Sequence, residues 1–300
     1  MLLGPLRRRA ASAEPSSAAV DGPVPTSSLP AYLLGERVAL EAVSRKHSRS
    51  LYLGKETVLC RVLGKYLVFV DSQETGISPH LAFDGYWESW ITLALARTVQ
   101  PGWHCLDVGA NHGYYTLVMA DGAGPAGRVA PVEPTPRLAD LLRQTLDVNG
   151  FPQIEVVAKA ATDSDGQTLQ LVIPERRSMN ARLAEVAAET EEAVDVESVT
   201  IDSLTREWPR VDLIKIDVEG AEEQVWRGMR STIARNRDLV VILEFNVARY
   251  DEPRAFVAEL EAAGFRLRYI DTDAELNAVS PDELLTRQVG QDWMLYLVRR

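Results

Sequence analysis

Cysteine is scarce in this chain of 300 residues: there are two, Cys60 and Cys105, beside four histidines. With no C-x-x-C spacing and no Cys/His cluster, a structural zinc site is not expected. Cys105 opens an apolar run and reads as a small core residue. Long apolar runs are missing too. None approaches the roughly 20 residues of a membrane-spanning helix. The basic start at Arg7, Arg8 and Arg9 leads into Ala, Ser and Pro, not into the roughly 7–15 apolar residues of a signal peptide. These absences point to a soluble cytoplasmic protein with no membrane partner. Positive charge is in deficit, since 32 Lys and Arg face 43 Asp and Glu for a net charge of -11. A broad phosphate-gripping surface is therefore disfavoured, and no nucleic-acid partner is expected.

What remains is ordinary globular composition, 46% hydrophobic and 25% charged, with length enough for a sizeable core. Residues 1–30, rich in Ala and Ser with Pro15, Pro23, Pro25 and Pro30, read as a flexible tail. Residues 31–98 read as an extension capping the core. It has a helical pattern over 31–48, a β-hairpin from Glu56–Leu63 and Tyr66–Val70 about Gly64-Lys65, and a second helical pattern over 84–99. Residues 99–300 alternate strands with helices. The expected strands are Cys105–Val108, Arg128–Val132, Ile154–Lys159, Leu213–Ile216, Leu239–Phe245, Phe265–Ile270 and Trp293–Val298. The expected helices are Gly113–Ala120, Pro136–Val148, Ala221–Arg230 and Pro253–Ala263. That alternation predicts an α/β fold, a mostly parallel sheet with helices on both faces, whose far edge turns antiparallel. Two further β-like runs, Thr168–Ile173 and Ser198–Ile201, flank a charged stretch from Glu185 to Glu197. This insertion reads either as a solvated loop or as a segment overhanging the substrate.

Within this frame the run Leu106 to Tyr115 carries the first chemical signal. An apolar strand ends in Asp107, turns through Gly109, Ala110, Asn111 and Gly113, and opens a helix. Glycine permits positive φ and close backbone approach, and helix-terminal amides can hold a carboxylate. Asp107 is placed to pair with a ligand ammonium, and Asn111 offers a further hydrogen bond. The turn spaces its glycines G-x-x-x-G, so it lacks the G-x-G spacing of dinucleotide sites, and NAD is disfavoured. The next strand ends in Glu133-Pro134. A carboxylate a little over 20 residues past the turn can accept both hydroxyls of a ribose, although it can equally cap the following helix. Together these residues predict an S-adenosylmethionine site.

Two more strands end in acids. Leu213-Ile214-Lys215-Ile216 leads to Asp217 and Glu219, and Val240–Leu243 leads to Glu244. Ligands of open α/β sheets bind at this carboxyl edge. Asp217 is the first candidate for a catalytic base or for positioning a hydroxyl, with Glu244 and Glu219 behind it. No metal ligand set is assigned, although a divalent ion held by the three is chemically possible. Glu219 and Glu222 also suit a helix N-terminus. Lys215, inside an apolar strand, reads as the partner of a buried acid. Trp87, Tyr114 and Tyr115 could line the site or pack in the core. Among the histidines, His112 sits in the glycine turn, His80 precedes Trp87, and His104 lies at the amino end of its strand, the wrong edge for chemistry.

These blocks, in this order, resemble the FkbM family of S-adenosylmethionine-dependent methyltransferases. The resemblance spans about residues 80–300. It rests on the Gly109–Tyr115 turn, Val132-Glu133-Pro134 with Asn149-Gly150, Thr200–Leu204, and Lys215–Glu222 with Gly228. Trp87-Glu88 also fits, while Pro131 and His112 depart from the usual pattern. It implies a Rossmann-like fold and O-methylation of a small-molecule natural product or a sugar/glycan. Two alternatives stand beside it. A nucleobase N-methyltransferase would carry Asn/Asp-Pro-Pro-aromatic where this chain reads Asp217-Val218-Glu219-Gly220. A non-catalytic S-adenosylmethionine-binding protein would retain Glu133 without turnover.

Overall fold

Period-two burial and glycine-marked turns shape the amino-terminal part of the structure, a computed structural model that describes residues 29–175, 180–183, 191–286 and 292–299. Most of the expected tail, and residues 185–190 of the charged stretch, lie outside the described residues. Helix α1 (Arg37–His47) leads into three antiparallel strands, β1 (Arg49–Gly54), β2 (Thr57–Val62) and β3 (Tyr66–Asp71). The expected hairpin is β2–β3, with Val62 opposite Tyr66, and β1 is an additional edge strand. The N–H groups of Leu67, Phe69 and Asp71 donate to Asn149 Oδ1 at 3.0 Å, Thr145 Oγ1 at 3.0 Å and His112 Nε2 at 3.2 Å. Side chains thus close the outer edge of β3, which would otherwise present open donors.

Helices α2 (Ile77–Phe83) and α3 (Ser89–Thr98) precede the alternating part: β4 (His104–Val108), α4 (Tyr114–Ala123), β5 (Arg128–Val132) and α5 (Pro136–Val148). Four strands then form a small separate sheet of order β6-β9-β7-β8: β6 (Ala160–Ala161), β7 (Thr168–Pro174), β8 (Arg182–Leu183) and β9 (Glu191–Val199). The chain continues through α6 (Ile201–Leu204), β10 (Leu213–Ile216), α7 (Glu222–Arg227), α8 (Arg230–Arg235), β11 (Val240–Phe245), α9 (Pro253–Ala262), β12 (Arg268–Ile270), β13 (Leu276–Ala278), α10 (Pro281–Thr286) and β14 (Trp293–Leu297). The single helix expected over Ala221–Arg230 breaks at Gly228, where a Cβ would stand 2.0 Å from the Thr162 carbonyl oxygen.

The main sheet has seven strands in the order β13-β12-β14-β11-β10-β4-β5. It is mixed, a correction to the mostly parallel sheet expected. The contacts β5–β4, β4–β10 and β10–β11 are parallel, and those from β11 through β14 and β12 to β13 are antiparallel. The β12–β13 turn is too short for a parallel crossover: Asp271 Oδ1 accepts the N–H groups of Asp273 and Glu275, both at 2.9 Å. The expected strand Ile154–Lys159 is reduced to one bridge, Val132 to Val157. Pro131 explains this. Its carbonyl accepts from Val157 N–H at 2.9 Å, but it has no N–H to return, so the ladder cannot extend along β5.

Alternation along β4, β10 and β11 sorts the core into two layers. Cys105, Leu213 and Ile242 pack with Leu95 of α3 and Leu117 of α4. Leu106, Ile214, Ile216 and Leu243 pack on the other face with Trp226 and Phe256. The result is a Rossmann-like α/β sandwich. No helix among the described residues is long and apolar enough to cross a membrane.

Candidate active site

The carboxyl ends of β4, β5 and β10 open onto a cleft of about 540 Å³ including its open mouth. Gly109, Asn111, Glu133, Pro134, Asp217 and Glu219 line it, six of the residues singled out from sequence. Leu171, Ala181 and Leu183 supply another wall, so the insertion does reach the site. Glu133 is 4% exposed. Its oxygens accept the N–H groups of Asn111 and Thr135, each at 2.8 Å. The Thr135 hydroxyl also bonds this carboxylate, and of its roughly four acceptor sites one remains for a ligand. Burial pushes the Glu133 carboxyl upward, against the hydrogen bonds from Thr135 and Asn111. Gly109 has φ 81, and a Cβ there would stand 1.8 Å from the Asp217 carbonyl oxygen. The glycine therefore answers first to the neighbouring strand, a reason distinct from ligand approach.

Asp107, Ala110 and Gly113 do not line this cleft. The N–H groups of Gly109 and Ala110 both donate to the Val132 carbonyl, at 2.9 and 3.0 Å, and Gly113 is the N-cap of α4. Asp107 is fully buried and accepts from Thr116 Oγ1 at 2.6 Å, while its Oδ1 has no hydrogen-bond partner among the described residues. His112 is fully buried against Asp71, and burial lowers its imidazole to about 4. It joins the glycine turn to β3.

Asp217, Glu219 and Glu244 converge, with carboxylate oxygens all within 4.8 Å of one another. Cations are already interleaved. Lys215 Nζ lies 2.9 Å from Asp217 Oδ2 and 4.7 Å from the centre of the Tyr115 ring. Arg249 lies 2.8 Å from Glu219 Oε2 and also pairs with Glu244. Its guanidinium supplies positive charge where a divalent ion held by the three acids would bring it. Burial works to lower Lys215, but the Asp217 and Asp107 carboxylates outweigh it and hold the ammonium charged. Burial works to raise Asp217, and Lys215 together with Arg249 brings it below the usual carboxylate range. Glu244 goes the other way: burial and Asp217 push it well up, against Arg249. Burial and Asp217 likewise raise Glu219 to about 7. Glu222 is structural. It accepts the N–H groups of Val218 at 3.1 Å and Gly220, and the Tyr250 hydroxyl at 2.9 Å, fixing the turn that carries Asp217 and Glu219.

Glu244 also lines a second cleft, of about 680 Å³ including its open mouth, with Glu88, Trp90, Tyr269, Asp292 and Trp293. The acid cluster therefore stands between two clefts. Arg249 and Asp292 were not singled out from sequence. Arg249 follows Glu244 by only five residues, and that proximity was the available signal. His80 is exposed, pairs with Asp84 at 3.3 Å and packs against Trp87; it lines neither cleft. His104 sits at the amino end of β4 with its ring edge-to-face on Trp208.

A glycine turn, a buried acid with spare acceptor capacity and a carboxylate edge at the ends of parallel strands define an α/β nucleoside-binding enzyme domain. Residues 107–267, more than half of the chain, match the methyltransferase FkbM domain. The chain belongs to this family. A protein-L-isoaspartate O-methyltransferase of Aeropyrum pernix is 44% identical over 52 residues, 17% of this chain and 20% of that protein. One of Methanocella arvoryzae is 37% identical over 71 residues, 24% and 38%. The chain thus matches well under half of the length of these relatives. Among solved structures, Aeropyrum pernix fibrillarin with bound S-adenosyl-L-methionine is similar at 14% identity and TM-score 0.40, covering 84% of this chain and 97% of that one. A precorrin-6y C5,15-methyltransferase of Geobacter metallireducens is similar at 12% and 0.41, covering 71% and 88%. Likeness at this level does not bear on the substrate.

Proposed function

We propose that this protein is an S-adenosylmethionine-dependent O-methyltransferase whose acceptor is a hydroxyl of a small-molecule natural product or a sugar/glycan. The observation that carries the reading is the meeting of two clefts at one carboxylate cluster. A transfer reaction needs two ligands side by side, held in attack geometry.

The first cleft fits the methyl donor. Glu133 retains acceptor capacity for a ribose hydroxyl, and Asp107 Oδ1 is a buried acceptor without a donor among the described residues. Gly109, Ala110, Asn111 and Gly113 form the turn around the donor, with Pro134 beside Glu133. When bound, S-adenosylmethionine supplies an electrophilic methyl on a sulfonium. Asp217, kept anionic by Lys215, suits orientation of the acceptor hydroxyl and stabilisation of positive charge nearby. It is a weak base for the same reason. Glu244 and Glu219, both raised, share the proton-handling side of the cluster.

Oxygen is favoured over nitrogen by the charge of this edge. Carboxylates stabilise the ammonium form of an amine and withhold its lone pair, whereas a hydroxyl can give its proton to them. The same charge disfavours a nucleic-acid acceptor. Residues 31–98 act in this proposal as an extension capping the domain at 99–300. Cys60 and Cys105, both buried and unpaired, suit a reducing, cytoplasmic setting.

The test is a pair of variants assayed by calorimetry with S-adenosylmethionine and by methyl transfer. Glu133→Ala weakens donor binding by at least about tenfold, the scale of one lost hydrogen bond to a charged group. Asp217→Asn binds the donor normally and loses turnover. Full turnover in Asp217→Asn removes Asp217 from the reaction. Donor binding by both variants with no turnover in the wild-type protein favours the non-catalytic reading.

A further inference from the structure

Glu88 is turned toward the acid cluster by an unusual backbone. It is the N-cap of α3, with φ 35 and ψ 64, a left-handed conformation uncommon for a non-glycine residue. The Tyr115 hydroxyl donates to its Oε2 at 2.8 Å, and Oε1 makes no hydrogen bond among the described residues. Such strain persists where the surroundings over-determine it, often at functional sites.

The second cleft gives the strain a purpose. Among the described residues its lining carries four carboxylates, Glu88, Glu244, Asp271 and Asp292, and no Lys, Arg or His. The three other than Glu88 each have a partner outside the cleft's centre. Arg249 pairs with Glu244, Asn246 donates to Asp292 at 2.6 Å, and Asp271 accepts from its own turn and from Asn277. Glu88 is the one whose left-handed backbone turns it toward the acid cluster, with its Oε1 open among the described residues. Tyr269 and Trp293 meet edge-to-face in the same cleft with ring centres 4.9 Å apart, and Trp90 adds a third aromatic surface.

We infer that the second cleft is the acceptor subsite, that Glu88 takes the acceptor's proton, and that the subsite admits uncharged hydroxylated acceptors and rejects anionic ones. This rests on the methyl-transfer reading above. The acceptor oxygen forms a bond to the methyl carbon as the carbon–sulfur bond breaks, the electron pair leaves with sulfur, and the hydroxyl proton passes to Glu88 Oε1. Asp271 and Asp292 oppose an anionic acceptor, and Glu88 adds to that repulsion where it is ionised. The groups facing Glu88 are Tyr115 from α4, Lys215 and Asp217 from the β10 edge, Glu244 from β11, and Asp271 and Asp292 from the cleft rim. Burial and Asp217 lift Glu88 to about 7, against the Tyr115 hydrogen bond and Lys215, which matches a base working near neutral pH.

The experiment uses the full chain, S-adenosylmethionine labelled on its methyl, and a metabolite extract of the source organism separated by ion exchange into neutral, anionic and cationic fractions. Label is expected in the neutral fraction, as a base-stable ether. The rate rises through about pH 7. Glu88→Gln lowers it at least about a hundredfold, within the usual range for general-base removal, and abolishes that rise, while the affinity for S-adenosylhomocysteine stays within about twofold. Glu88→Asp recovers part of the rate. Label confined to the anionic or cationic fraction overturns the inference, as does a Glu88→Gln protein with near wild-type rate or one that loses S-adenosylhomocysteine binding while folded. Each of those outcomes leaves the methyl-transfer reading standing. No label in any fraction, with S-adenosylmethionine bound, overturns both. The wild-type pH profile is a check that needs no variant: a rate flat from pH 6 to 8 sinks the base assignment.

Discussion

The end of β10 presents two different interiors to its two sides. Leu213, Lys215 and Asp217 face α3 and α4; Ile214, Ile216 and Val218 face Trp226 and Phe256. The second side is an apolar core and needs only volume and shape. The first side becomes charged as it approaches the carboxyl edge, and it holds because each buried charge has a counter-charge. Lys215 is 1% exposed yet lies 2.9 Å from Asp217, with Asp107 on the neighbouring strand. One strand thus carries stability on one face and chemistry on the other, and the two faces should respond to mutation in different ways.

The largest effects should come from β10 itself, first from Lys215→Met. Removing the ammonium leaves Asp107 buried without a counter-charge and takes the nearest cation from the part-exposed Asp217, at a cost of about 3 kcal/mol in urea unfolding. Asp217 should then titrate higher, because its main stabilising charge is gone. Adding Asp217→Asn to Lys215→Met should recover part of the stability. If the double variant is as unstable as the single one, the charge account of this face is wrong. Ile216→Ala, one residue along on the other face, should cost about 3 kcal/mol through lost burial and a cavity. It should leave the pH dependence of stability unchanged, which is where the two faces separate.

A smaller effect concerns protons alone. Glu219 titrates at about 7 in the folded protein against 4.5 for the free group. The folded state therefore holds more protons between pH 4.5 and 7, and stability falls as pH rises through that window. Glu219→Gln removes this loss. Relative to wild type, the variant should gain on the order of 2 kcal/mol between pH 4.5 and 7, allowing for the partial exposure of Glu219. His112, lowered to about 4 from 6.5, has the opposite sign: its contribution is lost as pH falls from 6.5 towards 4. It is common to both proteins and cancels in the difference.

The apolar face was the more legible of the two in the sequence. The strands Arg128–Val132 and Leu213–Ile216 and the helix Pro136–Val148 have the boundaries expected, because short apolar runs there end at an acid or a proline signal. The gathering of Asp217, Glu219 and Glu244 at one sheet edge was legible for the same reason: each ends an apolar strand. What was not legible depends on partners distant in sequence. Arg249 reads as a loop cation until Glu219 and Glu244 are seen on either side of it. The inward turn of Glu88 depends on Tyr115, 27 positions away. β1, Arg49–Gly54, has almost wholly exposed positions and so lacks the burial period that marks a strand. Pro131 carried a signal against pairing, yet its consequence for Ile154–Lys159 appears only once the side of β5 it occupies is known.

The smallest expected effect tests whether burial or geometry gives the interior pair its weight. Arg143 and Asp140 on α5 are 2.7 Å apart, closer than Lys215 and Asp217, but their side chains are 46% and 68% exposed. Water screens the attraction, and ordering two long side chains costs entropy, so an exposed pair of this kind contributes little. Asp140→Ala should change stability by less than about 0.5 kcal/mol, and raising the salt concentration should erase what remains. Salt should leave the cost of Lys215→Met nearly unchanged, since counter-ions do not reach a group 1% exposed. Equal salt sensitivity for the two variants would mean that solvent enters the polar face of β10, and that its charges are held less firmly than this packing implies.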